Sequence, residues 1–142
     1  MTLAVDCDLR KVFAYDSDAK RVVANGEADI TSVILWCRRQ VAPTVLFEVA
    51  SAVDYTNSKA IAHHKRRWTM FNIAMAERLS QWCDLHVAPS SAWTKGFDVK
   101  ARHRMAKCIL PNKDLRECEA MLWFHAHEQR AWVPWAQYLR EL

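Results

Sequence analysis

Carboxylates at three places in this chain draw attention by where they fall. The run Thr44-Val-Leu-Phe-Glu-Val-Ala-Ser51 is short, apolar and β-prone, and is bounded by Pro43 and Ser51. It reads as a strand buried on both faces. Such strands rarely carry acids, and in open α/β sheets ligands bind at the carboxyl ends of the strands, so Glu48 falls where chemistry is usually done. Asp6 lies inside another β-prone piece, Leu3-Ala-Val-Asp-Cys7. The two-residue period puts it on the face opposite Leu3 and Val5. An Asp there also suits a strand end that bonds to nearby backbone amides, a use that fits the turn residue Asp8 better. The third place is Asp114-Leu-Arg-Glu-Cys-Glu-Ala120, the start of a helix, where the dipole alone favours acids. At roughly 100° per residue, Asp114 and Glu117 lie about 60° apart on one edge of the apolar stripe, and Glu119 lies about 140° from Asp114. Asp114 and Glu117 can serve one site and Glu119 cannot. The chemistry on offer is that of carboxylates gathered at one sheet edge, provided the fold brings them together.

The chain has 142 residues, 51% of them hydrophobic, enough for a single domain over 1–142 with its own core. Lys and Arg number 20 against 16 Asp and Glu, a net charge of +4, which permits an acidic partner without requiring one. No run approaches the length of a membrane span, and the N-terminus enters a strand pattern without a signal-peptide layout; the expectation is a cytoplasmic protein. Five cysteines, Cys7, Cys37, Cys83, Cys108 and Cys118, are scattered with no Cys-x-x-Cys pair. That pattern signals buried thiols, not a disulfide framework or a structural zinc site. Two glycines in the whole chain exclude Gly-rich phosphate loops.

Residues 2–25 hold three β-prone pieces separated by turn residues, an antiparallel meander. Ile30, Val33, Ile34, Cys37 and Val41 have helical spacing, with Asp29 or Thr31 available as an N-cap. Residues 52–67 lack a steady apolar period and end in the densest positive cluster, His63, His64, Lys65, Arg66 and Arg67. A solvated helix start and a phosphate-contacting surface read equally well there. Trp68, Phe71, Met75, Leu79 and Trp82 give a long helix over 68–83 with a wide apolar face. Leu85–Pro89 reads as the last strand, Ser90–Gly96 as a polar loop at the same sheet edge as Glu48, and residues 98–108 as a basic helix with Lys100, Arg102, His103, Arg104 and Lys107. Leu115, Cys118 and Leu122 form the inward stripe of the Asp114 helix. The aromatic tail, Ala131–Leu142, folds back on the body or forms an interface.

The order strand, strand, strand, helix, strand, helix, strand, helix, helix resembles the RNase H-like fold, and more narrowly the RuvC-type Holliday-junction resolvases, particularly their short bacteriophage-encoded relatives. Leu3-Ala-Val-Asp-Cys-Asp8 matches the family's first-strand aspartate at Asp6. Thr44-Val-Leu-Phe-Glu-Val-Ala-Ser51 matches its glutamate at Glu48, and Asp114-Leu-Arg-Glu-Cys-Glu-Ala120 its late acidic pair at Asp114 and Glu117. The loop Pro89-Ser-Ser-Ala-Trp-Thr-Lys-Gly-Phe-Asp-Val-Lys100 matches a stretch that supplies basic residues near the scissile phosphate, here Lys95 and Lys100. The pattern is departed from in two respects: Cys7 and Asp8 stand where a glycine is common, and Glu117 where many members have Asp.

The resemblance implies a mixed five-stranded sheet, an antiparallel three-strand meander plus two parallel strands, flanked by helices. It also implies a homodimeric endonuclease that resolves branched DNA by phosphodiester hydrolysis. Such hydrolysis needs a nucleophile made at neutral pH and charge neutralised on the attacking and leaving oxygens, which two metal ions about 3.5 to 4 Å apart supply. Mg²⁺, with Mn²⁺ as an alternative, takes oxygen ligands and needs neither Cys nor His. On this reading Asp6 bridges, Glu48 holds one metal, and Asp114 and Glu117 hold the other. His63, His64, Lys65, Arg66, Arg67, Lys95, Lys100, Arg102 and Arg104 form the basic DNA-binding surround. The alternatives are a RuvC-related nuclease acting on RNA precursors and a non-catalytic nucleic-acid-binding domain of the same fold. A zinc module on His63, His64, His103, His125 and His127 has spacings that match no common ligand set.

Overall fold

The computed structural model describes residues 2–8, 11–49, 59–89, 110, 112–127 and 132–141, with no side chain described over 59–65. The helix expected over 98–108, Cys108, His103 and the basic residues Lys95, Lys100, Arg102 and Arg104 therefore fall outside the described residues, as do the side chains of His63, His64 and Lys65.

Strands β1 (Thr2–Asp8), β2 (Lys11–Asp16) and β3 (Arg21–Glu27) form the expected antiparallel meander. The turn between β2 and β3 is held by Asp16, whose carboxylate accepts the Asp18 and Ala19 amides at 3.1 and 3.2 Å and the Trp36 indole N–H at 3.3 Å. Helix α1 (Thr31–Arg39) leads to β4 (Thr44–Val49), and helix α2 (Lys59–Ser80) to β5 (Asp84–Pro89). Both strands run parallel to β1, with β4 beside it. Helix α3 (Lys113–His127), strand β6 (Val133–Pro134) and helix α4 (Trp135–Glu141) complete the described elements. The sheet order is β3-β2-β1-β4-β5-β6. This is a mixed, RNase H-like sheet flanked by helices, the five expected strands carrying a two-residue sixth at the β5 edge.

Alternation along the strands divides the core in two. Leu3, Val5 and Cys7 of β1, with Val45, Phe47 and Val49 of β4, pack under Val33 and Cys37 of α1 and Ala76 and Leu79 of α2. Ala4 and Leu46 face the other way, toward Leu115, Cys118, Met121 and Phe124 of α3. Asp6 and Glu48 follow Ala4 and Leu46 by two residues, so both acids point to the α3 side.

The structure corrects several sequence expectations. The N-cap of α1 is Ile30, which has no side-chain cap; Asp29 instead accepts the Thr31 amide at 2.9 Å. Val41 lies past the helix and is 91% exposed. Helix α2 begins at Lys59, so of the two readings of the positive cluster the helix start holds, and the helix expected over 68–83 is its continuation to Ser80. Its early turns contain no Gly or Pro to stop a helix that later packing has already nucleated, and exposed Arg66 and Arg67 need no apolar stripe. Trp82 falls beyond α2, with the Arg38 guanidinium 5.3 Å from its ring. The buried stripe of α3 runs through Leu115, Cys118, Met121 and Phe124, leaving Leu122 only partly covered. Cys7, Cys37 and Cys118 are buried, and Cys83 is half-buried. No helix among the described residues is long and apolar enough to cross a membrane.

Candidate metal centre

The parallel register of β1 and β4 places Asp6 directly beside Glu48. Neighbouring strands lie about 4.8 Å apart, so two carboxylates in one register and on one face must meet. Helix α3 crosses that face with Glu117 directed inward. Carboxylate oxygens of Asp6, Glu48 and Glu117 all lie within 4.8 Å of one another, the one such group of three or more His, Cys, Asp or Glu side chains among the described residues.

The α3 end of the site is set by a cap. Asn112 Oδ1 accepts the Asp114 amide at 2.8 Å and the Leu115 amide at 3.4 Å, and the Asn112 carbonyl accepts the Arg116 amide at 3.0 Å. Asn112 thus starts the helix two residues before Asp114. Asp114 lies outside the 4.8 Å group, although its charge still acts on Asp6. Glu119 points elsewhere, as its angular spacing requires; its charge bears on the Tyr15 phenol.

Asp6 is only 5% exposed. Burial, followed by the charges of Glu48 and Glu117, a hydrogen bond to Glu117 and the charge of Asp114, raises its carboxyl well above the usual aspartate range. Like charges this close cannot all ionise without a counter-charge, so in the metal-free protein Asp6 favours its protonated form. The set is wholly carboxylate oxygen, the donor type of Mg²⁺ and Mn²⁺ sites. A divalent cation fits here both in donor chemistry and in charge.

Three residues lie beside the site without any sequence signal that ties them to it. Cys118 is fully buried on α3, its thiol raised by burial and by the charges of Asp6, Glu48 and Glu117, and its Sγ lies 3.7 Å from the Phe13 carbonyl oxygen. Trp68 and Asn72 of α2 both donate to the Cys7 carbonyl. Contacts made to backbone atoms 61 and 65 residues away leave no motif behind. The histidines supply no competing metal site among the described residues: His127 stacks on Trp123 with centroids 4.2 Å apart, and His125 meets Trp132 edge-on.

Comparison with known proteins follows the same line. No protein-family model and no curated protein sequence matches the chain. Among solved structures it is similar to Thermus thermophilus RuvC in complex with Holliday junction substrate, with a TM-score of 0.52 and 13% identity over 94% of this chain and 99% of that one. The fold is RuvC-like. A second Thermus thermophilus RuvC structure gives a TM-score of 0.46 at 12% identity, covering 94% of this chain and 98% of the other. At such identity the likeness concerns the RuvC-like fold, and the carboxylate cluster stands on its own geometry.

Proposed function

We propose that the protein is a divalent-metal-dependent endonuclease that resolves four-way junctions and related branched DNA. The observation that carries this reading is the meeting of Asp6, Glu48 and Glu117 at the carboxyl ends of adjacent parallel strands. A RuvC-like fold surrounds them, and the solved RuvC neighbour is itself bound to a Holliday junction.

Asp6, beside Glu48 in register and hydrogen-bonded to Glu117, would hold Mg²⁺ or Mn²⁺ together with both of them, and Asp114 would support the site from farther out. Bound metal supplies an activated water and neutralises charge on the scissile phosphate. The protein's part is to keep these oxygens together at a cost in repulsion, with Asp6 the acid whose ionisation that repulsion opposes most directly. Exposed Arg66 and Arg67 on α2, with His63, His64, Lys65, Lys95, Lys100, Arg102 and Arg104, are the residues to hold DNA phosphates, Lys95 and Lys100 nearest the scissile one. A junction presents two strands for symmetric cutting, so the working unit is a two-fold dimer.

The test is cleavage of a labelled four-way junction with Mg²⁺, beside linear duplex and structured RNA. Cutting of the junction that disappears in EDTA and in Asp6→Asn, with junction binding retained, is the expected outcome. Preference for structured RNA would move the substrate to RNA, and undiminished cleavage by Asp6→Asn would sink the assignment of the site.

A further inference from the structure

Two side chains of α2 converge on a single backbone oxygen. Trp68 Nε1 donates to the Cys7 carbonyl at 2.6 Å and Asn72 Nδ2 at 3.0 Å. The two donors are four residues apart and so share one face of the helix. Asn72 is 0% exposed and, with Asp6 and Asp16, one of three buried polar or charged residues among those described. Its helix neighbours on that side include Ala76 and Leu79, both in the apolar core. Packing alone would be as well served by an apolar residue of the same shape, since a buried amide is tolerated only when its hydrogen bonds are made. The amide is there for the carbonyl.

That carbonyl belongs to the residue after Asp6, and the register between β1 and β4 ends at the pair Asp6 and Glu48. Beyond that pair β1 is held by strand pairing on its β2 side only, as far as Asp8, and its β4 side is left without ladder partners at the point where three carboxylates must be held against their own repulsion. We propose that Trp68 and Asn72 are positioning residues for the carboxylate site, anchoring β1 one residue past Asp6 so that its carboxylate stays in reach of Glu48 and Glu117. This inference rests on the metal-site reading above. Partners that orient ligands in this way typically contribute 10- to 100-fold in metal affinity.

The experiment is Mn²⁺ binding to the full chain, followed calorimetrically, for the unmodified protein, Asn72→Leu and Trp68→Phe, with thermal melts alongside. Trp68→Phe keeps an aromatic ring and deletes the indole N–H, so it decides the matter even if Asn72→Leu does not fold. Each variant is expected to bind Mn²⁺ about 10-fold more weakly while remaining folded at the assay temperature and binding junction DNA normally in EDTA. A merely structural role lowers the melting temperature and leaves the Mn²⁺ affinity of the folded protein within twofold, and that result overturns the proposal alone. Failure of the unmodified protein to bind Mn²⁺ would overturn the metal site and this inference together.

Discussion

Asp6 has its ionisation opposed from several sides at once, by burial and by Glu48, Glu117 and Asp114, and this makes stability depend on pH in a definite direction. Its carboxyl is raised in the folded protein above the ordinary value of 3.8, so folding favours the protonated form. The corresponding stabilisation is complete below about pH 4 and is lost as pH rises through the folded value. In EDTA the melting temperature of the parent should therefore fall, relative to that of Asp6→Asn, between acid and neutral pH, and Mg²⁺ should restore it in the parent only. Parallel melting curves for the two proteins at every pH would contradict the raised carboxyl. The other acids separate by distance. Glu117 lies in the 4.8 Å group and Asp114 outside it, so Asp114→Asn should cost about 10-fold in Mn²⁺ affinity, the size of an outer-shell loss, and Glu117→Gln more. Equal losses, read by the same titration, would make Asp114 a direct ligand.

At the scale of elements, the site depends on where α3 starts. Asn112 accepts two first-turn amides, and Asn112→Ala should destabilise the protein by about 1 kcal/mol, measured by urea unfolding, with a loss of Mn²⁺ affinity because Glu117 is carried on the frayed end. A stability loss without an affinity loss would show that the cap serves the helix alone. What the sequence revealed follows from the same physics. Half-buried strands must alternate, so Leu3, Val5 and Cys7 declared one face of β1 and left Asp6 on the other. A 60° separation on a helix is a geometric certainty, and it grouped Glu117 with Asp114 while excluding Glu119. The first turns of α2 were legible only as one of two equal readings, because they ask for no apolar stripe. The Trp68 and Asn72 anchors were hidden because a donor aimed at a distant carbonyl can be any donor. A strand of two residues, Val133–Pro134, is too short for alternation to register.

Across the whole molecule, the tail closes the sheet edge by holding both faces. Trp132 is buried with the α3-side core and Trp135 with the α1 and α2 side, while Val133 and Pro134 between them pair with Val87 and His86. A strand is the one backbone form that lets a chain change sides this quickly, and the added strand covers an edge that would otherwise be open to pairing. Both tryptophans are thus committed within their own chain, which moves any dimer surface away from them. The same architecture separates charge. The carboxylates gather at the strand ends with Asp6 buried and Glu48 and Glu117 half-buried, whereas Arg66 and Arg67 stand exposed on α2 in a chain of net charge +4. An acidic centre can meet a polyanion only if surrounding cations outweigh it, and cations that neutralise phosphates release counterions, each contributing about 0.9 to the slope of log affinity against log salt. Arg66→Ala with Arg67→Ala should therefore flatten that slope for junction binding in EDTA by roughly 1.8, and leave Mn²⁺ affinity unchanged because neither residue belongs to the carboxylate group. Fluorescence anisotropy across a salt series reads the slope directly. A slope that stays where it was would mean that these arginines face water and that the DNA lies along another surface.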